Sequence, residues 1–141
     1  MYSIKDFMKE PKVQEALEEE NIDEIYTLHM DEFGSNAVFT QLTEFFLRCN
    51  INPLDYMNYI PKYFLYDSDI TELKLSNTVN GIGTFAILKC PNLNKLYIPS
   101  SVTFIGSNAI VDCPNLVIEC EKGSYTHKWC LDTGRKFNLI K

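Results

Sequence analysis

Only two histidines, His29 and His127, occur in the 141 residues, and no G-x-S-x-G elbow accompanies them. Nucleophilic and acid–base catalysis therefore have few candidates. His29 lies on an apolar helical face, where a structural imidazole is expected, and Cys49, the one thiol that could be paired with it, shares that core spacing. The chain is expected not to be an enzyme. No apolar run approaches the roughly 18 residues that a spanning helix needs. The opening segment MYSIKDFMKE carries charges where a secretory segment would be apolar, so no membrane contact and a cytoplasmic location are expected. There is no C-x-x-C knuckle: Cys113, Cys120, His127 and Cys130 have residue types suited to zinc but not its usual spacing, and all five cysteines read as free thiols. No metal and no cofactor are expected. Also missing is a Gly/Ser/Pro-rich linker, so the chain should form a rigid single body.

Cationic charge is scarce in the first half. Residues 1–69 hold 14 Asp/Glu against 5 Lys/Arg, whereas residues 70–141 hold 5 against 8. Direct nucleic-acid binding through the first half is disfavoured, and a protein partner with a basic surface is favoured. The acid is concentrated in Glu15, Glu18, Glu19, Glu20, Asp23, Glu24, Asp31 and Glu32, eight carboxylates within 18 residues.

What is abundant is repetition. ITELKLSNTVNGIGTFAILKCPNL (70–93) is followed 23 positions on by LNKLYIPSSVTFIGSNAIVDCPNL (93–116). Ten of 24 columns are identical, among them Leu73/Leu96, Val79/Val102, Gly83/Gly106, Ala86/Ala109 and Cys90/Cys113; composition alone would give roughly one or two. This period with an L-x-L core marks leucine-rich-repeat coils, each with one short strand and a return path. Leu73, Leu75, Leu96 and Ile98 should point inward, and Glu72, Lys74, Ser76, Lys95, Tyr97 and Pro99 outward. Residues 60–70 read as half of a preceding coil with one residue missing, Phe64 taking the Ile87 place, Asp67 the Cys90 place and Ile70 the Leu93 place. Gly81-Ile82-Gly83-Thr84-Phe85-Ala86 satisfies G-x-G-x-x-A, but its copy at 104–109 lacks the first glycine, so coil packing is expected rather than a dinucleotide turn.

Upstream, helical signals dominate. Ser3 and Asp6 suggest a capping box, with Ile4, Phe7 and Met8 as an apolar face. Pro11 opens a second helix with Val13, Ala16 and Leu17 inside, and Asn21 caps another that carries Ile22, Ile25, Tyr26, His29 and Phe33 until Gly34 stops it. A central helix is expected from Ser35, with Val38, Phe39, Leu42, Phe45, Phe46 and Cys49 covering more than one face. Asn52-Pro53 should start a short helix through Met57. The expected class is α+β: an acidic helical domain, residues 1–58, acting as the amino-terminal cap of a solenoid with a carboxy-terminal cap, residues 59–141.

The segment I-P-S-S-V-T-F-I-G-S-N-A-I-V-D-C-P-N-L at 98–116 resembles the BspA-like leucine-rich repeat, roughly I-P-x-S-V-T-x-I-G-x-x-A-F-x-x-C-x-x-L, with Ile87 and Ile110 where the family usually has Phe. The resemblance runs over residues 60–141, including an ending of strand, Ser124-capped helix, Gly134 stop and final strand. It implies a non-catalytic protein-protein interaction module of a bacterium or phage; the chain itself is expected to be monomeric or weakly self-associating, and cytoplasmic in the bacterial host if phage-encoded. Two alternatives stand beside it. One is a small acidic inhibitor, like anti-CRISPR proteins, that blocks a nuclease's nucleic-acid channel; the other is an adhesin fragment. Partner-binding candidates are the eight acidic residues and, on the strand face, Lys74, Lys95 and Tyr97.

Overall fold

The computed structural model describes residues 2–34 and 36–140. Helix α1 (Ile4–Met8) opens with the capping box formed by Ser3 and Asp6, and Pro11 stands in the first turn of α2 (Pro11–Glu18). Asn21 Oδ1 accepts from the Glu24 N–H to cap α3 (Ile22–Phe33), which Gly34 ends at a positive φ of 95°. Such a φ suits glycine because a Cβ would clash with the backbone.

The next helix departs from expectation. Ser35 lies outside the described residues, and α4 spans Thr40–Arg48, beginning only after Phe39. Val38 precedes it and is 42% exposed, and Cys49 is exposed at its end, so α4 presents one buried face of Leu42, Thr43 and Phe46. Asn52 caps a short 3-10 turn, Pro53–Tyr56, in place of an α-helix through Met57, because a four-residue turn before strand pairing has no room for i→i+4 bonds.

Ten strands follow: β1 (Tyr59–Ile60), β2 (Leu65–Tyr66), β3 (Glu72–Lys74), β4 (Gly81–Ile82), β5 (Ile87–Leu88), β6 (Lys95–Tyr97), β7 (Phe104–Ile105), β8 (Ile110–Val111), β9 (Val117–Glu121) and, beyond helix α5 (Tyr125–Thr133), β10 (Phe137–Ile140). They form three parallel sheets, ordered β1-β4-β7, β2-β5-β8 and β10-β9-β6-β3. Each coil therefore has three short strands instead of one strand and a return path. The corners between them are columns of residues in the left-handed region, Tyr63/Phe85/Asn108 and Asp67/Lys89/Asp112, with φ of 54–59°. Asn and Asp tolerate this conformation best.

The corners also fix the register of the first coil. Leu65 pairs with Ile87 and Tyr66 with Leu88, an offset of 22, whereas Glu72 pairs with Lys95 at 23. The missing residue therefore falls after Ser68. Leu65, not Phe64, takes the Ile87 place; Ser68, buried, takes the Cys90 place instead of Asp67; and Phe64 stands in the column of Ala86 and Ala109. Inside the coils Leu73, Leu96 and Ile118 stack, as do Ile60, Ile82 and Ile105. Pro99 is buried rather than outward. A Cβ on Gly83 would lie 3.0 Å from the Ile60 carbonyl oxygen and 2.9 Å from Tyr59 Oη, so the G-x-G segment is tight coil packing.

Helices and coils share one apolar core running from Phe7 to Cys130. Tyr26 is its aromatic hub, with ring centroids 5.2 Å from Phe39, 6.1 Å from Phe46 and 5.8 Å from Phe64. Its hydroxyl lies 2.7 Å from Thr43 Oγ1, which donates to the Phe64 carbonyl at 3.2 Å. The strand ladder itself reaches back into this region. Phe85 N–H donates to Asn108, Tyr63 N–H to Phe85, and Phe39 N–H to Tyr63, so Phe39, at a φ of −85°, extends this hydrogen-bond column by one step without the left-handed corner. Thr40 Oγ1 accepts from Tyr66 N–H at 2.7 Å and donates to its carbonyl at 3.0 Å, closing the open edge of β2. At the opposite edge of that sheet Arg135 donates to the Ile110 carbonyl at 2.7 Å. Helix α5, with Ser124 as N-cap and Gly134 in the left-handed region after it, packs beside β9 and β10.

Candidate partner-binding surfaces

His29 and Cys49, the pair weighed for catalysis, lie in different settings. His29 is 4% exposed and ringed by Phe7, Phe33 and Phe39, with its Nδ1 unpartnered, while Cys49 is exposed at the end of α4. Burial pushes the His29 imidazole down to about 4. The fold thus holds it neutral where an unfolded chain, with a pKa near 6.5, takes up a proton. Stability should therefore fall as pH drops from about 6.5 toward 4, by at most about 3 kcal/mol, and level off below. Urea denaturation of the protein and of His29→Leu across that range should give difference curves with this slope. Equal pH dependence in the two proteins would remove His29 as its source.

The carboxy-terminal thiols are also internal. His127 Nδ1 accepts from the Gly123 N–H at 3.0 Å, and Cys130 and Cys120 are both fully buried, with burial pushing the Cys130 thiol up to about 12. Among the described residues no group of three or more His, Cys, Asp and Glu could hold a metal ion. All five cysteines are free.

All eight acidic candidates are exposed, and none forms an ion pair among the described residues. Their positions on the helices are unusual. Glu15 and Glu18 lie in the last turn of α2, Glu19 is its C-cap, and Asp31 and Glu32 lie in the last turn of α3; neither last turn contains a basic residue. A helix already gathers negative charge at its carboxy terminus, so each such carboxylate costs on the order of 0.3–1 kcal/mol. Only Asp23 and Glu24 sit where the dipole welcomes them, at the start of α3.

The strand face carries the other candidates on the sheet β3-β6-β9-β10. Lys95 lies 3.5 Å from Glu72, an exposed pair worth little. Lys74 Nζ is 5.6 Å from the Tyr97 ring centroid, and Tyr97 stands beside Glu119 in register. Burial, reinforced by Glu121, raises the Tyr97 hydroxyl. These side chains border a shallow groove of about 540 Å³. A third surface escaped sequence reasoning: Tyr59, Gly81 and Phe104 are neighbours in register, and the two rings, 46% and 51% exposed, flank the glycine. Their 22- and 23-residue spacing was the available signal.

Comparison with known proteins matches residues 32–117 to the BspA type leucine rich repeat region, in six copies. The chain belongs to this family. The match begins upstream of residue 59, consistent with a ladder that starts at Phe39. No curated protein matches the chain, and no solved structure matches it. Membership points to a protein-protein interaction module of a kind that is typically non-catalytic. Among the described residues no helix is long and apolar enough to cross a membrane.

Proposed function

We propose that this is a non-catalytic interaction module whose acidic helices dock on the basic surface of a protein partner. The observation that carries the reading is the placement of Glu15, Glu18, Glu19, Asp31 and Glu32 at helix ends whose dipoles they oppose, exposed and unpaired. Folding gains nothing from that arrangement, whereas a cationic groove would gain from it. One basic surface of this kind is a nucleic-acid channel. The same charge density supports, as the second reading, an inhibitor that occupies the channel of a nuclease, encoded by a phage or a bacterium. The five free thiols suit action in a reducing compartment. Residues 1–58 serve as the acidic cap and residues 59–141 as the repeat body.

Glu15, Glu18 and Glu19 changed together to Lys should keep the fold and raise stability, by about 1 kcal/mol or more, because three carboxylates leave a helix end whose dipole opposes them and the new cations favour it. Capture of a basic partner from nuclease-treated bacterial lysate should then be lost without a fall in melting temperature. Wild-type capture should weaken steeply with salt. Retained capture by the triple variant, with loss on Lys95→Glu plus Tyr97→Ala, would place the working surface on the strand face instead.

A further inference from the structure

The acidic half has one place of opposite character. Of its five cations, Lys5, Lys9 and Arg48 line a single groove of about 610 Å³ between α1 and α4, floored by the half-buried side chains of Ile4, Met8 and Phe45. Lys5 and Lys9 are four apart on the α1 side, and Arg48 stands in the last turn of α4. Among the described residues none of the three has a carboxylate within ion-pair distance. Glu44, the one carboxylate lining the groove, accepts from Ser68 Oγ at 2.6 Å and is thereby tied to the first coil. The result is an apolar floor bordered by three cations and one carboxylate, a net positive rim with Lys5 and Lys9 on one wall and Arg48 four residues from Glu44 on the other, in a region whose surface is otherwise strongly negative.

We propose that this groove docks an acidic amphipathic helix of a protein partner, its apolar side chains against Ile4, Met8 and Phe45 and its flanking carboxylates against Lys5, Lys9 and Arg48. Charge complementarity selects the occupant. A basic segment would be repelled here and drawn to the ends of α2 and α3. A single-headed amphiphile would satisfy one cation and leave those on the other wall unpaired. The nine residues of α4 give a wall of about 13 Å, enough to meet anchors at i, i+3 or i+4, and i+7 of a helix. Methionine on the floor adapts to different anchor shapes. This surface is distinct from the acidic helix ends, and Glu15, Glu18 and Glu19 are not part of it.

The test uses the full chain, labelled with ¹⁵N, and two 14-residue helical peptides with the same leucines at i, i+3 and i+7, one flanked by Glu and one by Lys. The Glu-flanked peptide should shift amides within 4–9 and 41–48, and its binding should weaken at least tenfold in Lys5→Glu/Lys9→Glu/Arg48→Glu. All three positions are exposed, and Arg48→Glu alone should give a smaller loss should the triple variant melt early. The Lys-flanked peptide should perturb α2 and α3 in wild type and gain the groove in the triple variant. The proposal is overturned if the Glu-flanked peptide leaves 4–9 and 41–48 unmoved at millimolar concentration, if both peptides bind there equally, or if decanoate titrates the groove and neither peptide does.

Discussion

Deleting residues 1–58 is expected to make the remaining chain aggregate. The loss goes beyond four helices. It strips Thr40 from both backbone groups of Tyr66, Phe39 from the Tyr63 carbonyl, Thr43 from the Phe64 carbonyl and Asn52 from the Lys74 carbonyl. Phe64, fully buried in the intact chain, would face water with an unpaired strand edge beside it. An apolar layer bounded by such an edge templates association. Size-exclusion chromatography and thermal melting of residues 59–141 are the check. A monomeric fragment with a cooperative transition would show that the coils stand alone and that residues 1–58 are a separable unit.

Phe64→Ala should cost about 3–5 kcal/mol, the range for removing a fully buried ring from a close-packed site. The site has little capacity to relax. Tyr26 stacks on the ring at an interplanar angle of 23°, and the Tyr26 hydroxyl is bound to Thr43, which holds the Phe64 backbone, so collapse into the cavity would break a buried hydrogen bond. Urea denaturation should show a lower midpoint with an unchanged slope. A loss below about 1 kcal/mol would mean that the helices and the first coil are not packed as one body.

The alanine comparison also shows where sequence reasoning reached its limit. In the repeat, the Phe64 place is filled by Ala86 and Ala109, small because another coil passes close behind; the first coil has helices there instead, and a ring fits. Alignment by hydrophobicity therefore drew Phe64 onto the Ile87 column. The strand register and the left-handed φ of Tyr63 and Asp67 reveal the offset of 22, and conformation at a corner leaves little trace in residue type when Tyr, Phe and Lys share it with Asn and Asp. Two-residue strands are likewise too short to show alternation, so three strands per coil read as one. Local signals fared better. Ser3, Asn21, Ser124, Gly34 and Gly134 each act at the helix ends where they were expected, because a cap depends only on its own turn. The start of α4 was obscured because Val38 and Phe39 extend its apolar pattern backward, although Phe39 is spent on the ladder. Of the candidate sites, the acidic residues were legible in composition. Their opposition to the helix dipoles, and the collection of Lys5, Lys9 and Arg48 on one groove, required knowing where the helices end and how they cross.

The side-chain closures at the two edges of the β2-β5-β8 sheet bear on how such a protein can change over evolutionary time. Thr40 satisfies Tyr66 and Arg135 satisfies Ile110, and neither reaches into the coil between. The ends are therefore indifferent to the number of turns they enclose. A tandem duplication of a 23-residue unit within 71–116 would lengthen the stack by one strand spacing, about 4.8 Å, and leave both termini intact. The acidic helices and the α5 end would simply move apart by that step. Gene duplication thus sets the separation of the two ends, in fixed increments, without redesigning either one.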